Sequence, residues 1–144
     1  MFRFRYMIDG KSNPTIVKWP VAASQTITKG ELLELASGRA QTAAAASLVI
    51  LGVAEADITT GASVTDADAI PVLLARNAVF DVDYTGATKT SVSSADNGTA
   101  FDLNAGAQSI NLDDTTGGMC KMFLSYDNTA KTVHVVIDDA NIVY

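Results

Sequence analysis

Apolar positions along this chain recur in short runs of about four to eight residues, each stopped by Gly, Pro, Asp, Ser or Thr. Phe2, Phe4 and Tyr6 alternate with Arg3, Arg5 and Met7, a period of two that predicts an extended strand. Asp9-Gly10 is a turn signal, and Lys11-Ser12-Asn13-Pro14 cannot continue a ladder. Thr15–Trp19 predicts a second strand, stopped by Pro20. Residues 1–25 are therefore expected to form an N-terminal arm or hairpin, and residues 26–144 a single β-rich domain.

The densest strand signal runs from Ile27 to Val64. Glu31–Leu35, a turn at Ser37-Gly38, Arg39–Thr42 and Val49–Ala56 follow one another, with an alanine run between the last two. Four consecutive alanines favour helix on propensity alone. The run is too short to be stable as an isolated helix and its flanks are strand-like, so a tight connection or a strand start is expected. Ile70–Ala75 carries Pro71 near its start, which suits an edge strand or a strand entry. In Val79–Tyr84, Asp81 and Asp83 share a face with Val79, opposite Phe80, Val82 and Tyr84, the alternation of a half-buried strand. Residues 85–98 are small and polar and read as a surface loop, mobile if nothing packs on it. Thr99–Leu103 and Ser109–Leu112 are short strand candidates. Met119–Tyr126 and Lys131–Ile137 make a closing hairpin around Asp127-Asn128-Thr129-Ala130, and Asn141–Tyr144 has room for a last short strand. Eight to ten short strands and little helix predict a mostly β fold: a small barrel or sandwich.

Composition narrows the class. A chain of 144 residues is one domain by length, and 48% hydrophobic residues argue against wholesale disorder. Much of that share is alanine and aromatics are 7%, so a thin Val/Ile/Leu core is expected. No apolar run is long enough to span a bilayer, and MFRFRYMIDG lacks the apolar stretch of a signal peptide. A soluble protein that begins near Met1 is expected, with no membrane partner. Residues 1–39 hold six basic side chains against three acidic, whereas residues 40–144 hold four against thirteen. The acidic body argues against nucleic acid as a partner. The polarity suits head-to-tail or arm-to-body protein contacts.

Candidate chemistry is sparse. Cys120, the one cysteine, lies in MCKMFL and reads as a buried small hydrophobe. His134, the one histidine, has no neighbouring motif to supply a catalytic partner, and a zinc site needs more His and Cys than the chain owns. The pairs Asp66/Asp68, Asp81/Asp83, Asp113/Asp114 and Asp138/Asp139 offer oxygens for a hard cation, but none sits in a full calcium loop. Gly117-Gly118 lacks the Lys-Ser/Thr of a phosphate-cradling loop. No enzyme, cofactor or metal is expected.

The segment Lys29-Gly30-Glu31-Leu32-Leu33, Ser37-Gly38-Arg39, Ala43–Ala46, Leu51-Gly52-Val53-Ala54 and Thr60-Gly61-Ala62-Ser63-Val64 resembles the glycine-punctuated pattern of tailed-phage head decoration proteins, also called capsid cement proteins. The resemblance covers about residues 26–84. It implies a structural virion protein, made in the host cytoplasm, that sits on the outer surface of the head, often as a homotrimer. There it would cement neighbouring major capsid subunits against DNA pressure. Within that reading the N-terminal arm could add a strand to a capsid subunit, with Arg3, Arg5, Tyr6 and Trp19 as the partner-binding anchors. The alternatives are another virion or tail-associated β-module, and a carbohydrate-binding β-sandwich using loops 85–98 and 104–118. Neither loop contains an aromatic to stack on a sugar.

Overall fold

The computed structural model describes all residues, 1–144. Strands take 47% of the chain, and the helical residues are two short 3-10 turns, Ser94–Asp96 and Asp139–Asn141. The strands are β1 (Phe2–Met7), β2 (Ile16–Pro20), β3 (Thr26–Ile27), β4 (Leu32–Ala36), β5 (Arg39–Thr42), β6 (Ile50–Ala54) and β7 (Ile58–Thr59). They continue with β8 (Ala69–Leu74), β9 (Ala78–Thr85), β10 (Ala100–Asn104), β11 (Ser109–Asn111), β12 (Cys120–Asp127) and β13 (Thr132–Ile137).

The C-terminal half closes into a five-stranded barrel in the cyclic order β9-β11-β10-β12-β13, because β9 pairs with both β11 and β13. Closure removes the free edges a strand of this length would otherwise expose. Strand β9 fits the role through its alternation. Phe80, Val82 and Tyr84 point into the barrel core with Val133, Val135 and Phe101, and Asp81 and Asp83 point out. The expected closing hairpin is present as β12 and β13, with a shift in register between Met122 and Tyr126.

The second sheet has the order β2-β8-β6-β4-β5, and a parallel bridge between Val21 and Ala40 draws its two ends together. This sheet is apolar on both faces. Leu32, Ile50, Val53 and Leu73 pack on the barrel core, while Leu33, Leu51, Ala54, Ile70 and Val72 build a second core on the opposite side. Double burial explains why β6 reads ILGVA with no polar alternation. Pro71 lies in β8, which is flanked by β2 and β6 and so is not an edge. The ladder to β6 begins only at Val72, so the missing proline N–H falls at a strand entry.

The first 25 residues form neither a hairpin of their own nor a free arm. Strand β1 pairs with β9 and β2 with β8, so the segment is laced into both sheets. The reason is apolar burial: Phe2 is 3% exposed and meets Phe80 edge-to-face at 5.9 Å. The alanine run is a connection, with Ala43 buried and Ala44–Ala46 at the surface. Residues 85–98 do find packing partners. The Asp113 carboxylate accepts the N–H groups of Ala87, Thr88 and Lys89, and Asn128 exchanges two hydrogen bonds with the Val92 backbone. The C-terminal tail adds only a bridge from Ile142 to Ile50.

Gly52 marks the closest approach in the double-faced sheet: a Cβ there would stand 2.0 Å from the Leu73 carbonyl oxygen. Since that obstacle is backbone, Gly52→Ala is expected to cost on the order of 3 kcal/mol, read as a fall in the urea midpoint. Gly61→Ala, with open space around its Cα, serves as the neutral control.

Candidate functional site

Arg3, Arg5 and Tyr6 lie together on the outer side of β1, whereas Trp19 lies apart on β2. The β1 side is a charged row that spans three strands. Arg3 pairs in register with Asp81 of β9, and Asp81 pairs in register with His134 of β13. Arg3 Nε donates to Asp81 Oδ2 at 3.2 Å and Arg3 Nη2 to Asp83 Oδ1 at 2.9 Å. Arg5 Nη2 donates to the same Asp81 Oδ2 at 3.0 Å. Asp81 is therefore a buried carboxylate, its side chain 7% exposed, shared by two arginines that are about half exposed. Arg3 and Arg5 share this face by strand alternation, and the bulge in β1 between Phe4 and Tyr6 shifts the register so that Tyr6, opposite Val79, joins them.

Tyr6 covers the end of the row, its ring edge-on to His134 at 6.2 Å. Burial pushes the His134 imidazole below its ordinary range, against the pull of Asp81. Beside it lies an open hollow of about 340 Å³, bordered by Arg5, Asp81, Ser125, Thr132 and His134. The arginines' charge is thus largely answered within the chain. That charge is less available to a partner than their positions in the sequence suggest.

Trp19 anchors a different surface. Its Nε1 donates to the Gly38 carbonyl at 3.1 Å, its ring leans on the second core, and Tyr144 packs on it at 5.1 Å. Two hydrogen bonds fix the C-terminal tail that delivers Tyr144: Asn141 Nδ2 to Ser47 O, and Val143 N to Ile50 O. Leu48 and Val49 lie in the chain between those two anchor points and are 68% and 44% exposed. Leu124 is 66% exposed as well, held in the left-handed region at φ 64° inside the β12 bulge with its N–H on Asn97 Oδ1. Exposed apolar side chains mark contact surfaces where they form a contiguous patch, not where they stand singly. Sequence reasoning singled out Trp19 but missed Tyr144, Leu48 and Leu124, because nothing local distinguishes a buried leucine from an exposed one.

No protein-family model matches this chain, and no curated protein matches it.

Two outcomes test the charged row. Asp81→Asn leaves Arg3 and Arg5 without their shared acceptor and is expected to cost about 1–3 kcal/mol in urea unfolding. The Arg3 hydrogen bond holds the Asp83 carboxyl below its ordinary value of 3.8. A depressed folded pKa means that this stabilisation is complete above the unfolded value and is lost as pH falls through the folded one. Arg3→Met should therefore lower stability at neutral pH, and the gap to wild type should narrow as the pH is taken into that acid window. A gap that stays constant across the series would contradict the assignment.

Proposed function

We propose that this chain is a structural virion protein that binds the outer surface of a tailed-phage head and cements neighbouring major capsid subunits. The supporting observation is the pairing of an internally neutralised charged row with exposed apolar side chains on separate elements. Tyr144 packs on Trp19, Leu48 and Val49 are exposed between the two residues that hold the C-terminal tail, and Tyr6, Leu124 and Tyr126 are carried by β1 and β12. A cement has to touch more than one neighbour, and apolar contact area placed on different elements suits that task. Tryptophan and tyrosine carry a large share of interface energy, which makes the Trp19–Tyr144 pair the preferred anchor. The resemblance of residues 26–84 to decoration proteins supplies the partner, the major capsid protein, and the homotrimeric arrangement on the shell.

This reading assigns the contact to folded surfaces rather than to a released N-terminal arm. Residues 2–7 already form a strand whose Phe2 fills the barrel core, so deleting them would test folding before binding. Substitutions at exposed positions avoid that problem.

The test is co-sedimentation of the purified full chain with expanded empty heads assembled from the major capsid protein of the same source. Saturable binding is expected. Leu48→Asp and Tyr144→Ala should each weaken it about tenfold or more while leaving the circular dichroism spectrum unchanged. Absence of binding by the wild-type chain would overturn the proposal.

A further inference from the structure

Strand β12 leaves its ladder opposite one residue, and a hollow opens there. Met122 pairs with Val135 and Tyr126 with Val133, so His134 alone faces Phe123, Leu124 and Ser125. The surplus residues carry the β12 backbone away from β13. Two contacts hold it in that position: Asn97 Oδ1 accepts the Leu124 N–H, and the Gly98 N–H donates to the Met122 carbonyl. Beside the charged row lies the hollow of about 340 Å³, within the size range of small-molecule sites.

Its lining is polar and uncommitted. Ser125 and Tyr126 of β12 and Thr132 of β13 bring three hydroxyls, none of them hydrogen-bonded within the chain. Asp81 is 5% exposed and answers both arginines through Oδ2, which leaves Oδ1 free. Arg5 gives Nη2 to Asp81 and keeps its other N–H donors. The hollow between Thr90 and Lys131 differs: there Lys131 Nζ is spent on the Thr90 carbonyl and the Tyr84 hydroxyl on Asn128.

Charge selects among ligands. Arg3 and Arg5 answer Asp81, Asp127 adds a further carboxylate, and burial keeps the His134 imidazole uncharged at neutral pH. The arginines repel a metal cation, and the carboxylates repel an anion. A neutral ligand whose groups both donate and accept matches three hydroxyls, a carboxylate oxygen and a guanidinium. Tyr126 in the lining, and Tyr6 edge-on to His134, supply apolar ring surface beside them. We propose that this hollow binds one neutral sugar unit, free or at the end of a glycan, through Asp81, Arg5, Ser125 and Thr132. Loops 85–98 and 104–118 carry no aromatic, whereas this site is built from strands that do. It is a second function, carried by other elements than the Trp19–Tyr144 pair, and it needs no capsid partner.

The test is an amide-resolved NMR titration of the full chain without heads. The probes are methyl glycosides of glucose, galactose, mannose, rhamnose and N-acetylglucosamine, with glucuronate and glucosamine as charged comparators. Saturable shifts centred on residues 123–134 are expected with at least one neutral probe, at a Kd on the order of millimolar for so small a ligand. Retention on an immobilised polysaccharide of the bound sugar, released by that sugar, would identify a glycan end as the source; titration without retention would identify free sugar. Thr132→Val removes a hydroxyl at nearly constant shape and should weaken binding about fivefold or more. Ser125→Phe fills the hollow and should abolish it, whereas Thr90→Val, in the neighbouring hollow, should leave it intact. Should Ser125→Phe fail to fold, Thr132→Val decides alone. No shift with any neutral probe, tighter binding of glucuronate or glucosamine, or shifts that survive the substitutions in the hollow would overturn the site.

Discussion

One sheet is buried on both faces, and the rest of the molecule is arranged around that constraint. Strands β4, β6 and β8 must present apolar side chains in two directions at once, so adjacent residues such as Leu32 and Leu33 serve different cores. A chain of this size cannot fill two cores with bulky residues, and the second is built from Val, Ile, Leu and Ala together with one flank of Trp19. Small side chains let the layers approach. The limit is reached at Gly52, where the backbone of β8 occupies the space a side chain would need. The barrel solves the edge problem for its own strands by closure. The second sheet solves it by the bridge from Val21 to Ala40.

The charged row follows from how β1 joins this frame. Phe2 is drawn inward by Phe80, which fixes the register of β1 on β9 and sets Arg3 opposite Asp81. Removing a carboxylate from water costs several kcal/mol, and a single exposed arginine returns little of that. Two arginines on one oxygen, set on one face by strand alternation, are the compensation. A slip of one residue would put Arg3 inside the barrel and Phe2 outside it. The ion pairs therefore specify a register that the phenylalanine contact stabilises.

Much of the fold is legible in the alternation of the sequence. The strands around Val79–Tyr84, Thr99–Leu103, Ser109–Leu112 and the closing hairpin all fall within a residue or two of where alternation places them. What alternation could not convey is pairing. Residues 1–25 read locally as a hairpin or arm because Asp9-Gly10 and Pro14 separate two strands, yet each strand finds a distant partner with more apolar surface to offer. Pro71 leaves two readings open, an edge strand or a strand entry, and the flanking strands β2 and β6 select the second. Of the four anchors chosen from sequence, three lie side by side and one stands apart. Alternation alone puts Arg3 and Arg5 on one face, whereas the bulge that adds Tyr6 to them is invisible without β9.

Asp81 and Asp102 show why burial alone does not define a site. Each is an aspartate in a barrel strand with apolar neighbours on either side, DVDY around one and FDLN around the other. For Asp81 the compensating charge arrives from a strand far away in sequence. For Asp102 the chain supplies no cation and instead brings up a second carboxylate, under a loop whose glycine is pressed against β10. Repulsion between two acids ought to open such a loop, but a main-chain hydrogen bond from Asp102 to Asp114 holds it shut. A domain of this size has little surplus stability to hold an unanswered charge in place. Burial and the neighbouring Asp114 charge both favour the protonated form of the Asp102 carboxyl, which is how this barrel strand accommodates it.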